Sequence, residues 1–358
     1  MPGPGPQSTA TMADVAKRAG VSITTVSHVV NRTRPVAAGT TALVLEAANE
    51  VGYVPNDVLR TLRGTGSKTV GLAMSAISNV YFGDVVHGVE QALSDAGYSL
   101  LLADTHDEQD DEVKAVAELL RKHVAAIILA PVGDPARILG FTRQRGVPVV
   151  VIDRAVSADV DQVAAASVEP TAELVDHLAE LGHRRIAMIS GRAGLTTTSE
   201  RDDGYLIGLR RHQLDFQPEL NVSGDSTAAG AGEALHQLLA LPHPPSAVVV
   251  ANNQMTIGVL RAAKQMGVRI PADLAIVCFD DFEWADLFHP GLTAIAQPTQ
   301  AMGAQAAQLI LSRLRDPSLP TRRVRLESTF MHRESCGCTE IASSVPHGPS
   351  PRVGANPA

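Results

Sequence analysis

The sequence predicts an α/β protein in which an N-terminal helix-turn-helix unit of three helices precedes a larger body built on parallel sheets. The spacing of apolar residues indicates two short helices joined by a glycine turn in residues 11–31, and a third helix at about 40–51. From Lys68 onward, short apolar runs alternate with amphipathic helices. That alternation is typical of βαβ units with helices on both faces of the sheet.

The stretch TMADVAKRAGVSITTVSHVVN (11–31) contains the signals of two capped helices. Thr11 and Asp14 have the spacing of a capping box, Gly20 ends the first helix, and Ser22 begins the second. An ordinary helical hairpin is the alternative for this stretch taken alone. The second helix is expected to pack through Val26, Val29 and Val30.

A third helix is predicted to close this unit. Its apolar residues at helical spacing are Leu43, Val44, Ala47, Ala48 and Val51.

Charge is distributed unevenly along the 358 residues, whose net charge is −8. Residues 1–66 contain six basic and four acidic side chains, a balance of +2, so the remainder carries −10. Attraction to phosphate is therefore expected only in the N-terminal part.

Seven apolar runs in the body predict buried strands. The first set is KTVGLAM, YSLLLA, VAAIILA and VPVVVID, and the second is HRRIAMIS, SAVVVA and LAIVCF.

The chain has no run of 18 apolar residues and no secretion signal at its start, so we expect a soluble, cytoplasmic protein with no membrane contact. Its three cysteines do not form a disulfide framework. Cys336 and Cys338 with His332 resemble part of a metal site, but a structural zinc site needs four ligands and no fourth is evident. We therefore predict no metal and no cofactor.

The segment VSITTVSHVVNRTR resembles the DNA-binding headpiece of the LacI/GalR family, and is most similar to the purine-repressor branch of that family. The resemblance continues through GYVPNDVLRTLR and, more loosely, to ESCG, so it covers about residues 11–338. It implies a homodimeric transcriptional regulator, a repressor, whose two-lobed periplasmic-binding-protein-like body binds a small-molecule effector and controls binding to double-stranded operator DNA.

The resemblance also implies a division of the chain. A disordered lead (1–10) precedes the headpiece (11–55) and a hinge helix with its linker (56–67). The effector-binding and dimerisation domain spans 68–340, with lobe 1 at about 68–168 and 299–325 and lobe 2 at about 169–298 and 326–340. A disordered tail (341–358) follows.

DNA contacts carried over from the family fall on the second helix and the segments after it. Ile23, Thr24 and His28 are expected at base edges, and His28 lacks the bidentate fork of the Arg that many members have there. Leu62 is expected to wedge between base steps in the minor groove. The other candidates, most of them for phosphate contacts, are Ser22, Arg34, Tyr53 and Arg63.

Effector contacts carried over from the family combine an aromatic face, guanidinium groups, an amide and an acid. Such a set suits a polyhydroxylated ligand, whose hydroxyls each need donors and acceptors. A surface ion pair is the alternative reading of Arg201 with Asp280. The matching residues are Tyr81, Phe82, Arg154, Arg201, Asn253 and Asp280.

Several positions depart from the purine-repressor branch. Ser226, Arg154 and Leu195 stand where that branch has Phe, Trp and Arg, and Asn253 replaces an acid that is common in the family. The first three departures indicate a ligand different from that of the purine-repressor branch, whereas the change at Asn253 would cost a sugar-binding carboxylate. A sugar or sugar derivative remains the expected effector, with a nucleobase as the alternative.

Two other classes of protein fit less well. A transporter's solute-binding protein would have a secretion signal and no helix-turn-helix. An enzyme would need catalytic residues, and the sequence has no Walker loop, nucleophile elbow or dinucleotide fingerprint. We predict that the protein is not an enzyme.

Overall fold

The computed structural model describes residues 10–31, 34–53, 67–75 and 80–338. Contacts within the chain divide it into two compact units, with the division between Ser67 and Lys68. All but the last residue of the hinge segment expected at 56–67, including Leu62 and Arg63, lies outside the described residues, as do most of the expected lead and the whole of the expected tail.

The first unit contains three helices, α1 (Met12–Ala19), α2 (Ile23–Asn31) and α3 (Ala38–Glu50). The capping box of Thr11 and Asp14 is confirmed, and Gly20 ends α1 with a left-handed φ of 66°. The Ser22 oxygen accepts the Thr25 amide at 3.0 Å, which caps α2 as expected. The helix-turn-helix therefore forms from its local signals.

A small apolar core joins the three helices, but one expected member is outside it. Leu43 is 55% exposed, whereas the next residue, Val44, is fully buried. Successive residues of a helix point about 100° apart, and Leu43 falls on the side of α3 that is turned away from the core while Val44 faces it. The buried residues are Val15, Ala16, Val26, Val29, Val44 and Ala47.

The second unit is built on two six-stranded sheets. The first sheet has the order β11-β5-β4-β3-β1-β2 and is parallel throughout. Its strands are β1 (Thr69–Met74), β2 (Ser99–Asp104), β3 (Ala126–Leu129), β4 (Val149–Ile152), β5 (Asp161–Ala165) and β11 (Arg323–Leu326).

Four helices cover the first sheet. Two of them, α4 (Val80–Asp95) and α11 (Thr299–Arg315), share one apolar cluster with one face of the sheet. The other two, α5 (Gln109–Arg121) and α6 (Ala136–Gln144), contribute to a separate cluster with the opposite face. Helices on both faces agree with the expected doubly covered parallel sheet.

The second sheet has the order β12-β10-β9-β8-β6-β7, and only β12 runs antiparallel to its neighbour. One continuous apolar core surrounds it. Its strands are β6 (Ile186–Ser190), β7 (Asn221–Ser223), β8 (Ala247–Val250), β9 (Ala275–Phe279), β10 (Thr293–Ala296) and β12 (Thr329–Met331). Its helices are α7 (Val168–Glu180), α8 (Thr196–Arg211), α9 (Ala228–Leu239) and α10 (Asn253–Met266).

The seven expected strands are present, but β2 is not a buried strand. It lies at the edge of the first sheet, and Leu102 within it is 39% exposed. The pattern also missed five strands that add to or extend the sheets, namely β5, β7, β10, β11 and β12.

The chain passes three times between the two sheets. It crosses between β5 and β6, returns between β10 and α11, and crosses again between β11 and β12. Each lobe is consequently assembled from segments distant in sequence.

Close packing of α4 against α11 depends on two glycines. A Cβ at Gly88 would collide with the carbonyl of Gln300, and a Cβ at Gly303 with the carbonyl of Val85. Backbone groups cannot rotate away as side chains can, so the helices would have to separate.

We predict that Gly303→Ala lowers the free energy of unfolding by about 1–3 kcal/mol, because the added methyl overpacks this interface. Gly140 in α6 is the matched control, since nothing lies within 4 Å of a Cβ there. Gly140→Ala should leave stability unchanged or raise it by roughly 0.5–1 kcal/mol. Urea unfolding measures both, and equal stabilities would contradict the packing argument.

Candidate functional site

A cavity of about 300 Å³ lies in the second unit, at the carboxyl ends of the parallel strands of both sheets. Ligands in open α/β sheets bind at such ends. Five of the expected effector residues line it, namely Tyr81, Phe82, Arg154, Arg201 and Asp280.

Two acids with the same backbone geometry contribute to the cavity. Asp153 directly follows β4 with a φ of 69°, and Asp280 directly follows β9 with a φ of 71°. Asp tolerates this left-handed conformation better than most residues. Both acids are nearly buried, so one carboxylate comes from each sheet.

Each of these carboxylates has fixed donors. The Tyr81 hydroxyl donates to Asp153 at 2.8 Å, and the Gln297 amide donates to Asp280 at 2.6 Å. Burial raises the pKa of Asp153, while Arg154 opposes that shift. Burial and the carboxylates of Asp153 and Asp280 raise the pKa of Tyr81 well above its ordinary value, so its hydroxyl stays protonated and donates.

Arg201 and Asp280 form a buried pair, not the surface ion pair that the sequence left open. Their charged atoms are 3.7 Å apart, and the side chains are 9% and 5% exposed. The guanidinium also donates to the carbonyl of Ala251 and lies 3.9 Å from the centre of the Phe279 ring. Removing either partner would leave a buried charge compensated only by its neutral hydrogen-bond partners.

Arg154 is engaged by the protein itself. Its guanidinium pairs with Asp107 at 2.8 Å and donates to the carbonyl of Pro131 at 3.2 Å. Burial alone would lower the pKa of Arg154, but Asp107 and Asp153 outweigh it and raise the pKa. Its part in binding a ligand remains a prediction.

Asn253, the sixth expected residue, is not among those that line the cavity. It is 3% exposed in the first turn of α10, and its backbone amide donates to Asp280 at 3.4 Å. Its neighbours Asn252 and Gln254 do line the cavity. The backbone amide of Asn253 thus contributes to the hydrogen bonds of Asp280, and a part for its side chain in binding a ligand remains a prediction.

Several residues that line the cavity were not predicted from the sequence. Asp153 could have been found, because it directly follows the apolar run VPVVVI and strand ends are where ligands bind. Gln297 and Thr198 carry no such signal. Ser226 and Leu195, noted only as departures from the purine-repressor branch, both line the cavity.

Polar contacts around the cavity join segments that belong to different sheets. Arg192, which follows β6, donates to the carbonyl of Asp107 at 2.7 Å, and the Thr196 hydroxyl donates to the carbonyl of Ala155 at 2.7 Å. Arg325 of β11 pairs with Glu200 of α8. These contacts lie where a change in the spacing of the lobes would break or make them.

The expected base-reading residues all belong to α2. Ile23 is 54% exposed, Thr24 is exposed, and His28 is half-buried. His28, Arg34 and Tyr53 line one surface depression. Ser22 is exposed, and its oxygen already caps α2. None of these contacts with DNA is tested by the fold alone, and they remain predictions.

A separate cluster of possible metal ligands lies at the end of the described chain. The structure adds His177 of α7 to His332, Cys336 and Cys338, and their ligand atoms all lie within 4.8 Å of one another. The fourth possible ligand, which the sequence did not reveal, is thus on a helix much earlier in the chain. Across the described residues, no helix is both long and apolar enough to cross a membrane.

Comparisons with known proteins agree with this organisation. Residues 11–56 match the description "Bacterial regulatory proteins, lacI family", and residues 175–336 match "Periplasmic binding protein-like domain". The chain is 34% identical to the ribose operon repressor of Escherichia coli (strain K12) over 329 residues, covering 91% of this chain and 99% of that protein. It is 33% identical to the HTH-type transcriptional repressor PurR of Yersinia pestis bv. Antiqua (strain Antiqua), covering 91% and 96%.

The solved structures include a crystal structure of the lac repressor dimer bound to operator and the anti-inducer ONPF. It has a TM-score of 0.81 and 28% identity, and the match covers 92% of this chain and 99% of that chain. The headpiece and the body thus both have counterparts in one protein, and the chain belongs to the LacI family of DNA-binding bacterial regulatory proteins.

Proposed function

We propose that the chain is a cytoplasmic, homodimeric repressor whose headpiece binds a near-palindromic operator and whose body binds a sugar or sugar derivative. The observation that carries the proposal is the cavity with one buried carboxylate from each sheet, Asp153 and Asp280, beside the Arg201 guanidinium. The protein acts by binding and not by catalysis, in keeping with relatives that are repressors.

The chemistry of the cavity suits hydroxyl groups. A hydroxyl both donates and accepts, so a ring with several of them needs acceptors and donors on all sides. Asp153 and Asp280 accept, Arg201 donates, and the amides of Asn252 and Gln254 do both. One relative, the ribose operon repressor, takes its name from an operon for a sugar, and a sugar is compatible with such a set.

A nucleobase is the second candidate, because the headpiece resembles the purine-repressor branch of the family and PurR is a relative. The flat face of a base gains most from stacking on an aromatic ring. At the cavity wall this chain has Ser226, whose oxygen accepts the Arg192 amide at 2.9 Å, where the purine-repressor branch has Phe. The cavity therefore favours a sugar.

A ligand between the two sheets can act as a switch through its differential affinity for two spacings of the lobes. The contacts of Arg192 with Asp107 and of Arg325 with Glu200 would change with that spacing. The resemblance to the family implies that the distance between lobe 1 of one protomer and lobe 1 of its partner controls DNA binding by the headpieces. Whether the effector releases the protein from DNA or recruits it is decided by which spacing it prefers.

We predict that Asp280→Asn weakens binding of the sugar at least tenfold, about 1.4 kcal/mol. The amide that replaces the carboxylate has one acceptor oxygen fewer and lacks the negative charge that faces Arg201. Operator binding by the ligand-free variant should persist. Titration of ribose, other pentoses, hexoses and hypoxanthine identifies the ligand through the fluorescence of Trp284, which packs 4.4 Å from Phe282 by ring centres. Gel shifts with and without that ligand then measure the response.

Asp273→Asn is the matched control, since Asp273 forms an exposed pair with Arg269 at 2.6 Å. That variant should bind ligand and operator as the wild type does. Urea unfolding must accompany both, because losing the buried partner of Arg201 should itself lower stability by about 1–3 kcal/mol. A folded Asp280→Asn protein with unchanged ligand affinity would remove Asp280 from the site.

A second prediction separates base reading from phosphate contact in the headpiece. Selection from random duplexes should enrich a two-fold symmetric site, because a dimer presents two identical reading helices. His28→Ala should lose discrimination at one position of each half-site, at a cost of about 1–3 kcal/mol against the selected site. Arg34→Gln should weaken binding to all sequences and reduce the salt dependence by about one phosphate contact per headpiece.

The two variants control for each other in competition gel shifts at several salt concentrations. If His28→Ala weakens selected and random duplexes equally, His28 contacts the backbone and does not read a base. Enrichment of a single asymmetric half-site by the wild type would count against a dimer on the operator.

A further inference from the structure

The last described turn of the chain brings two cysteines and two histidines together. His332 follows β12, Cys336 and Cys338 are in the turn after it, and His177 comes from α7. The sulfurs of Cys336 and Cys338 are 3.0 Å apart. The Nε2 atom of His332 is 2.6 Å from the Cys338 sulfur and 3.6 Å from the Cys336 sulfur.

These separations bracket the dimensions of a tetrahedral site. With metal–sulfur bonds of about 2.3 Å and metal–nitrogen bonds of about 2.0 Å, neighbouring ligand atoms are about 3.3–3.8 Å apart. The observed ligand separations lie between 2.6 and 4.8 Å. Small side-chain rotations would therefore bring all four atoms to one ion.

His177 supplies an independent observation. Its Nε2 atom is buried and makes no hydrogen bond of normal geometry to another described residue. A buried polar nitrogen without a partner costs free energy, which a metal bond would recover. The rings of Phe330 and His332 pack edge-on against His177, with centres 5.3 and 5.0 Å away, and restrict its orientation.

The surroundings also resemble those of a structural site. Cys336 is fully buried, and its sulfur lies 3.3 Å from the carbonyl of Arg333. The Arg333 side chain makes a bidentate pair with Asp281, with both distances 2.8 Å. The turn that carries the cysteines is thus anchored to the loop after β9, and ordered neighbours of this kind orient metal ligands.

We propose that His177, His332, Cys336 and Cys338 bind one zinc-class divalent ion that fastens the end of the body to α7. Two thiolates and two imidazoles form the Cys₂His₂ set typical of closed, structural zinc sites. The ion would join the helix that follows the first crossing between the sheets to the segment that follows the third. The site is separate from the cavity and does not depend on the proposed function.

Cobalt binding by the full chain tests the proposal. The protein, freed of metal by a chelator under a thiol-free reductant, is titrated with Co²⁺ and then with Zn²⁺. We expect one Co²⁺ per chain with thiolate-to-metal charge-transfer absorption and the intense d–d bands of a tetrahedral ion, displaced by Zn²⁺. Excess Zn²⁺ should raise the melting temperature by roughly 5 °C, since a ligand that binds only the folded state stabilises it.

Variants assign the ligands. Cys338→Ser and His177→Gln should each weaken Co²⁺ binding at least tenfold and abolish the thermal shift. Cys278→Ala is the matched control, because Cys278 is a buried thiol of β9 outside the cluster, and it should retain the cobalt spectrum. Its retention would also show that the spectrum comes from the cluster and not from any cysteine.

Three results would overturn the proposal. The first is that the reduced wild-type chain shows no tetrahedral cobalt bands. The second is that His177→Gln keeps the wild-type spectrum and affinity. The third is that the intact mass of the wild type is lower than the mass of the fully reduced chain by two hydrogens and stays so in reductant. The last would mean that Cys336 and Cys338 form a disulfide. The wild-type spectrum and its thermal shift decide the question even if a variant does not fold.

Discussion

Burial of charge at the ends of two parallel sheets is the constraint on which the body of this protein depends. Asp153, Asp280, Arg154 and Arg201 are all less than a tenth exposed. An isolated buried ion costs several kcal/mol, so each of these groups must be compensated by its neighbours. The compensation comes from different segments: Tyr81 of α4 donates to Asp153, and Gln297 after β10 donates to Asp280. The cavity between these groups therefore has walls that can both donate and accept hydrogen bonds.

Local signals in the sequence predicted most of the regular structure. Capping residues and a valine face were sufficient for the first two helices, and apolar runs were sufficient for the central strands, because those features depend on near neighbours. The missed strands are different. DQVAA becomes β5 only because it pairs with β4 on one side and β11 on the other, and the Arg-rich β11 has no apolar run at all. Leu43 shows the limit for helices, where spacing alone did not decide which neighbour faced the core.

The site was only partly predictable, because it also depends on contacts between segments that are distant in the sequence. Resemblance to the LacI family placed five residues at the cavity, but it could not indicate that Asp107 pairs with Arg154 or that the Asn253 backbone amide donates to Asp280. Those relations depend on which loops meet at the strand ends. The cysteine turn is a clearer case, since His177 belongs to another part of the chain and only the packing of α7 near β12 brings it close.

The threading of the chain between the sheets has a consequence for its synthesis. The first sheet receives its last strand from Arg323–Leu326, and α11, which supplies much of the core on one face, begins at Thr299. A ribosome that has made the first five strands has therefore produced a lobe lacking an edge and a covering helix, with apolar side chains of β1, β3 and β4 uncovered. That lobe cannot be completed until all of the second sheet except β12 has been translated. During this interval the lobe exposes apolar surface and an unpaired strand edge, the two features that make partly folded chains prone to aggregate.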